Sequence, residues 1–552
     1  MLGSDGNLEM RPAIRNVCRR LVQGLWAAAL THCTLVSDFD VQECSSSADC
    51  ELLTGEIRHC EQSRCVSGCT DNAHCVSVDP GFPLCQRAGG KCVALLDEDR
   101  TCSAASGYDE QALAPLTLQA VDVIGAFAST PRSSSWLSLQ LAASEWNAPR
   151  LEPSTPRARP LLLLLCDDST GSVRAAMPHL VEELGARALV APLDERALRI
   201  ALEPVASTPV FLLNPGGSSV SPESVTAGRD LLWYLGADYA DTLPAYAQLL
   251  SHTLAVGLSR AAAPATFRLA SVVGTDLEDS ALSQAVLALL EIDGRTADGL
   301  IVEDRLRLVY PGPALPADAS RELARLLDEP PQLVFLFMGP HDDPTAFDAA
   351  TVIQALEARS AARGGSPPLY VLGPRSLDDV ALQKLVAGRA SLQSRVIGVR
   401  ADPTPDATEL AELQLRFVAA YPEASMRRGR ALAALPNVYD ALYLLAYGLF
   451  AAPRSEGVAD AEDLLAGFRR VTAESVAEPV EMGPGAQRLD SGLRLLQSGA
   501  SIQLRGASGV HRFREREHTR AGPPRPYVIG PAGQLLDADP SRVFDGASNL
   551  PD

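Results

Sequence analysis

Lysine is almost missing from this chain: Lys91 and Lys384 are its only two, and 48 basic residues in all stand against 68 acidic ones. The resulting net charge of −20 leaves no basic surface for a phosphate backbone and excludes nucleic acid as a main partner. Histidine is scarce too, with 8 residues and no H-E-x-x-H or comparable ligand spacing. A Walker A loop, a G-x-G-x-x-G turn behind a strand and a G-x-S-x-G elbow are all absent. Nothing assembles a nucleophile, a base and an orienting group. Paired acids occur at Asp167-Asp168 and Asp342-Asp343, where solvated loop carboxylates are the simplest reading. No apolar run reaches the ~18 residues of a transmembrane helix. These absences favour a binding protein over an enzyme and imply neither cofactor nor metal.

Cysteine is rare over most of the chain and dense in one place. Ten of the 12 lie between Cys33 and Cys102, and only Cys166 follows. Within the cluster Cys44, Cys50, Cys60 and Cys65 are followed by Cys69, Cys75, Cys85 and Cys92 at the same order of spacing. CSSSADC (44–50) and CTDNAHC (69–75) read as one phrase written twice. Zinc ligands usually come as C-x2-4-C pairs. The gaps here are five, nine and four residues, then five, nine and six, which favours two disulfides per unit. Such bridges persist outside the reducing cytosol. Spacing alone does not choose the pairing within a unit. Cys102 is left as a free thiol, a partner of Cys166, or a sign that one bridge is arranged otherwise.

The start of the chain agrees with export. Arg11, Arg15, Arg19 and Arg20 precede LVQGLWAAAL (21–30), an apolar run too short to span a bilayer and suited to a signal-peptide core. A start at Met10 would drop Asp5 and Glu9 and leave a basic leader. Leu30-Thr31-His32-Cys33 resembles a bacterial lipobox with Cys33 as the lipidated residue, although His32 stands where a small residue is usual. A leader cleaved without lipidation is the alternative. The expected divisions are a leader over 1–33, a Cys-rich segment over 34–103 with units 44–65 and 69–92, a linker over 104–119, a large region over 120–535 and a tail over 536–552. The expected location is extracytoplasmic, in the periplasm or on the cell surface, with a lipid anchor as the only membrane contact.

The large region alternates short apolar strands with helices. VDVIGAF (121–127), RPLLLLLC (159–166), ALVAP (188–192), PVFLLN (209–214), FRLASVVG (267–274), RLRLVYP (305–311), QLVFLFMG (332–339), LYVLGP (369–374) and SRVIGV (394–399) read as strands. Helical patterns separate them, and three more follow at 408–421, 436–451 and 459–473. This is the pattern of βαβ units and of parallel sheets covered on both faces. So many strands suit two lobes, with ligand loops at the carboxyl ends of the strands. The chain then ends in short β segments, SIQLRG, VHRF and PYVIG.

Four stretches carry a resemblance. They are VIGAFASTPRSSSWLSLQLAASEWN (123–147), LVFLFMGPHDDPTAFDAATVIQALEAR (333–359) with LYVLGPRS (369–376), LPNVYDALYLLAYGL (435–449), and LLQSGASIQLRGASGVHRF (495–513). Their order over 120–535 resembles type I periplasmic binding proteins, and most of all the leucine/isoleucine/valine-binding, extracellular ligand-binding receptor branch. The resemblance implies an α/β fold of two lobes with two parallel Rossmann-like sheets and three crossovers, preceded here by the small disulfide-rich segment. It places lobe one over about 118–235 and 395–475, and lobe two over about 236–394 and 480–530.

The resemblance also implies a ligand site. Ser135 and Trp136 match the loop that covers the ligand, with a core-packing role as the alternative for Trp136. Gly216, Gly217, Ser218 and Ser219 match a loop whose N–H groups and hydroxyl hold a carboxylate. Asp194 and Glu195 stand where hydroxyls are usual, His341 lies in the loop after the LVFLFMG strand, and Arg375 replaces the Glu that meets an ammonium group. That last exchange reverses the electrostatic sign. At ~4 Å and an effective dielectric near 20 the repulsion is about 4 kcal/mol, or about three decades of affinity. The expected function is capture of a small polar ligand, other than a branched-chain amino acid held in the usual way, by a monomer that serves an ABC-type permease or sensor. The alternative is a surface lipoprotein with a degenerate cleft that acts through its Cys-rich units.

Overall fold

The computed structural model describes residues 58–61, 64–69, 72–78, 84–86, 91–96, 101–104, 122–128, 133–148, 159–193, 195–217, 231–236, 239–250, 269–274, 277–292, 295–296, 306–309, 331–338, 348–364, 367–377, 379–400, 407–422, 435–453, 459–474, 478–514, 518–520, 524–533 and 535–538. The chain divides into two compact units, Met1–Cys92 and Val93–Asp552.

The first unit is built from hairpins and bridges. Strands β1 (Arg58–Glu61) and β2 (Arg64–Ser67) pair antiparallel, with Cys60 directly opposite Cys65. Helix α1 (Asn72–Val78) leads to a second hairpin, β3 (Leu84–Gln86) and β4 (Lys91–Val93). A helix of two turns is not stable by itself. Here Cys69–Cys85 ties the chain just before it to β3, and Cys75–Cys92 ties the helix to β4. The pairing that spacing left open is therefore first to third and second to fourth in the second cysteine unit. The sulfurs of Cys69, Cys75 and Cys85 lie within 4.8 Å of one another because the two bridges sit side by side. All three are oxidised and offer no thiolate to a metal. The leader, Cys33, Cys44 and Cys50 lie outside the described residues, and Cys60 and Cys65 are placed only as strand positions.

The second unit holds two parallel-rich sheets. The first contains β5 (Cys102–Ala104), β6 (Asp122–Ala128), β7 (Leu161–Asp167), β8 (Ala188–Val190), β9 (Phe211–Asn214) and β10 (Leu232–Tyr234). The second contains β11 (Leu269–Val273), β14 (Leu306–Val309), β15 (Leu333–Phe337), β16 (Leu369–Leu372) and β17 (Val396–Arg400), while β12 (Glu291–Ile292) and β13 (Arg295–Thr296) form a separate hairpin. Late strands close both: β18 (Val480–Glu481), β19 (Leu504–Gly506) and β20 (Gly509–Val510) make a small sheet, β21 (Phe513–Arg514) and β22 (Thr519–Arg520) join the first, and β23 (Arg525–Ile529) and β24 (Leu535–Asp537) join the second. The orders are β21-β22-β10-β9-β8-β6-β7-β5 and β14-β11-β15-β16-β17-β23-β24. The strands from β6 to β10 run parallel in the first sheet, as do β11 and β14 to β17 in the second. LLLLLC is buried along its whole length, as a parallel strand covered on both faces must be.

Helices α2 (Ser134–Asn147), α3 (Thr170–Pro178) and α4 (Glu195–Leu202) follow β6, β7 and β8. Helices α5 (Leu243–Leu249), α6 (Leu277–Leu289), α7 (Ala349–Arg363), α8 (Pro374–Leu377), α9 (Val380–Ala387) and α10 (Ala390–Gln393) belong with the second sheet. Helices α11 (Ala407–Ala420), α12 (Pro436–Ala451), α13 (Ala461–Val471) and α14 (Ser491–Gln497) return to the first core. Asp348 and Asp460 cap α7 and α13 with their side chains, the latter in a capping box with Asp463. On α12, Tyr439, Tyr443 and Tyr447 recur every four residues, and Trp146 of α2 meets the last two edge-on. Glu145 accepts from the hydroxyls of Tyr439 and Tyr443 and from Arg416 Nε, which ties α2, α12 and α11 together.

Sheet membership corrects the expected lobe boundaries. Val396–Arg400 pairs with β16 and β23, so it belongs to lobe two and not to lobe one. Conversely Met482, Leu489, Leu493, Ile502, Leu504 and Phe513 pack in the first core, so 480–520 belongs to lobe one. The three passages between lobes thus fall between Tyr234 and Leu243, between Arg400 and Ala407, and between Arg520 and Arg525. Apolar periodicity identifies each of these segments as strand or helix, but it does not say which of two equally apolar sheets a strand joins.

The last cysteine of the expected Cys-rich segment belongs to the large domain. Cys102 lies opposite Cys166 in the antiparallel β5–β7 pair and is bonded to it. This settles the three readings of Cys102 in favour of the Cys166 partner, and β5 covers the edge of β7. Nearby, the Leu95 carbonyl lies 3.2 Å from His179 Nε2. Among the described residues no helix is long and apolar enough to cross a membrane.

Candidate ligand-binding cleft

Loops follow the carboxyl ends of the parallel strands in both sheets. Helix α4 starts just after β8 in lobe one, and α6 starts just after β11 in lobe two. The two helices approach one another, which brings an element that follows β8 near one that follows β11.

In lobe one, Ser133 caps α2 by accepting the Trp136 N–H at 3.2 Å. Ser133 and Ser134 are buried, and Ser135 is half-buried in the first turn. Trp136 is 8% exposed and packs into the first core. Two further loops are joined through Asn214, the last residue of β9. Its Nδ2 donates to the Leu193 carbonyl at 2.8 Å, and its Oδ1 accepts the Gly216 N–H at 2.8 Å. Gly216 is exposed and Gly217 buried. Glu195 is the first residue of α4, and its side chain is not among those described. Asp194, Ser218 and Ser219 lie outside the described residues.

The loop after β7 is a fourth element of this edge. Asp167 accepts from Ser169 and Ser172, while the Asp168 N–H donates to Ala128 at the end of β6. Burial, helped by the neighbouring Asp167 carboxylate, pushes the Asp168 carboxyl up to about 6.

In lobe two the loop after β16 is held from three sides. The Tyr246 hydroxyl donates to the Leu372 carbonyl at 2.7 Å. The Gly373 N–H donates to the Leu336 carbonyl, and a Cβ at Gly373 would fall 2.7 Å from the Phe337 ring. Ser376 is fully buried; its Oγ sits 2.8 Å from the Leu336 carbonyl and accepts the Met338 N–H at 3.0 Å. Arg375 sits on this braced turn and is half-buried. His341 lies outside the described residues.

The structure therefore places Ser135, Trp136, Gly216, Gly217 and Arg375 at the carboxyl ends of β6, β9 and β16. Sequence reasoning missed the residues that fix these loops: Asn214, Tyr246 and Ser376. A signal existed for Asn214, a lone amide ending the apolar strand PVFLLN. Tyr246 acts across 126 residues and left none.

No protein-family model matches the chain, and no curated protein matches it. Among solved structures, the chain is similar to a possible leucine/isoleucine/valine-binding protein from Rhodopirellula baltica, at 12% identity over 77% of this chain and 98% of that one, with a TM-score of 0.48. It is similar to the branched-chain amino acid transporter substrate-binding protein from Streptococcus pneumoniae in complex with isoleucine, at 13% identity over 75% and 98%, with a TM-score of 0.46. It is also similar to a solute-binding protein of an ABC transporter from Rhodopseudomonas palustris in complex with p-hydroxybenzoic acid, at 10% identity over 76% and 95%, with a TM-score of 0.48.

Proposed function

We propose that this chain is an extracytoplasmic solute-binding protein. It captures a small polar ligand between its two lobes and presents it to an ABC-type permease or a membrane sensor. The observation that carries this reading is two parallel-rich sheets joined by three interlobe passages, with α4 after β8 and α6 after β11 in contact. Open parallel sheets bind ligands at that end, and closure of two lobes on a ligand is a population shift driven by contacts made only in the closed state. Arg375 on its braced turn favours a ligand bearing a carboxylate or another anionic group. Lipidation at Cys33 would tether the protein, with the bridged cysteine units between anchor and domain.

A thermal-shift screen of the mature chain against amino acids, small organic acids, aromatic carboxylates and polyols tests this. A ligand that binds the folded state raises the melting point by mass action, by about 2.7 kcal/mol of stability at a hundredfold excess over Kd. Hits among the anionic compounds support the reading. A broad library without any hit favours a second one, a surface protein whose cleft no longer binds. The burial of Trp136 in the first core supports that second reading, since the family-like role needs its ring at the ligand.

A further inference from the structure

We infer that Asn214 and Gly236 make the loops after β8 and β9 and the first interlobe passage one mechanical unit, with Asn214 as the positioning residue of both loops. The inference rests on reading these loops as lobe one's half of the ligand site.

Asn214 is 1% exposed, and both ends of its amide are used by the backbone of different loops, Leu193 on one side and Gly216 on the other. The bond to Leu193 is buried and water cannot replace it, so losing the amide donor leaves that carbonyl unpaired, while the bond from Gly216 is only part-buried. The ladder between β9 and β10 then continues beyond both strands. The Leu235 N–H donates to the Asn214 carbonyl at 2.7 Å, and the Gly236 N–H to the Gly216 carbonyl at 2.8 Å. A Cβ at Gly236 would lie 2.6 Å from the Gly216 carbonyl carbon and closer still to the Gly217 nitrogen. Those atoms are backbone and cannot swing aside like the end of a side chain. Glycine at 236 is what lets the departing chain lie flat on the 215–217 loop.

Gly236 is also where the chain leaves lobe one, because the next described elements, residues 239–242 and α5, lead into the second core. A ligand that shifts Gly216 and Gly217 therefore shifts the passage, and a change of interlobe angle shifts the loops. The coupling has the same magnitude in both directions.

Hydrogen exchange on the full chain tests this without a ligand, using wild type, Asn214→Asp and Gly236→Ala. The Asn214→Asp side chain still accepts from Gly216. Ionised, it cannot donate to the Leu193 carbonyl; protonated, it regains one O–H donor. At about pH 7, and after correction for intrinsic rates, amides at 190–193 and at 234–236 should exchange at least about tenfold faster in this variant. The excess should shrink to about twofold or less near pH 4, where the carboxyl is protonated. Gly236→Ala should speed exchange at 191–193 as well as at its own position, at either pH. Faster exchange with no pH dependence in Asn214→Asp would overturn the positioning role. Faster exchange at 190–193 with 234–236 unchanged would overturn the coupling. Where Asn214→Asp melts the whole domain, Gly236→Ala decides alone: opening at 191–193 supports the inference, and a change confined to 234–236 overturns it. Failure here leaves ligand capture standing, because no step of the experiment requires binding.

Discussion

Asp440 and Ser508 lie 68 residues apart and meet through two hydrogen bonds, with the Ser508 N–H and hydroxyl both donating to Asp440 Oδ2, at 2.8 and 2.5 Å. The contact joins two of the short sequence phrases, Tyr439-Asp440-Ala441 on α12 and Gly506-Ala507-Ser508-Gly509 between β19 and β20. Each is weak alone, and the fold makes them one object. Arg520 completes it by donating to the Ser508 hydroxyl at 3.0 Å and to the Ser508 carbonyl at 2.7 Å. A Cβ on Gly506 would run into the Asp440 carboxylate, so the turn can approach only without a side chain there.

Asp440 is 0% exposed and its carboxylate accepts from the Ala507 N–H, the Ser508 N–H and the Ser508 hydroxyl, so removing the acid leaves these buried donors without an acceptor. Each buried donor left unpaired costs about 1–3 kcal/mol, because it has lost its acceptor and cannot reach water. Asp440→Ala should lower the unfolding free energy by about 2–5 kcal/mol, with a lower denaturant midpoint, and Asp440→Asn, which keeps shape and one acceptor, by less. An unchanged midpoint in Asp440→Ala would show that the cluster contributes nothing net.

His511 sits in the same pocket and gives it a pH dependence. Burial and the nearby Arg520 lower its pKa to about 4, and they outweigh the Asp440 carboxylate, which acts to raise it. The folded state therefore holds a neutral ring while the unfolded chain protonates near 6.5. The stability from this group is fully present above 6.5 and is lost as pH falls through about 4, up to about 3 kcal/mol in the limit. Asp168 works in the opposite sense. Its raised pKa contributes stability below the ordinary carboxyl range, and this is lost as pH rises through about 6. Melting curves between about pH 7 and 4 should show a shallower acid loss in His511→Gln than in wild type, and a steeper one in Asp168→Asn. Identical slopes for the three proteins would contradict both assignments.

Much of this fold is legible in the sequence because parallel strands buried on both faces write themselves as unbroken apolar runs. LLLLLC and LVFLF could be little else once their lengths and flanks are considered. Lobe membership was less legible. Val396–Arg400 and Val480–Arg520 carry the right local pattern, but their partners are set by pairing and packing at long range. The cleft was legible only as loop positions. Its bracing by Tyr246 and Ser376 depends on contacts across 126 and 40 residues, which no local window contains. Trp136 shows the reverse limit: the expected loop residue lies in the first turn of α2, and it is buried in a core that also holds residues of helices α11 to α14, more than 250 residues later in the chain.

Arg375 should set the charge preference of the cleft. The backbone of its turn is fixed because Ser376 and Gly373 are bonded to β15 and the residue after it, which lowers the ordering cost of the loop that carries it. For an anionic hit from the thermal-shift screen, Arg375→Ala should weaken binding by about a hundredfold, the loss of one charge-assisted contact of about 3 kcal/mol. Arg375→Glu should abolish binding of the same compound and favour ammonium-bearing ones. Calorimetric titration of the three proteins decides this. Equal affinity in wild type and Arg375→Ala would remove Arg375 from the site.

The cysteine repeat makes the most definite covalent prediction. In the second unit the hairpin β3–β4 presents Cys85 and Cys92, which are bonded to Cys69 and Cys75. In the first unit the hairpin β1–β2 presents Cys60 and Cys65 in the corresponding positions, and Cys44 and Cys50 precede it at the matching separation. The same chain written twice should close the same way, giving Cys44–Cys60 and Cys50–Cys65. A direct Cys60–Cys65 bridge across the hairpin is the competing arrangement, since these residues face each other. Each bridge closing a loop of about fifteen residues is worth about 3 kcal/mol in the chain-entropy account, whereas a bridge within one hairpin closes a shorter loop and contributes less. Non-reducing peptide mapping of the exported protein should recover 44–60, 50–65, 69–85, 75–92 and 102–166. Recovery of 60–65 would show that the two units, alike in spacing, fold by different rules.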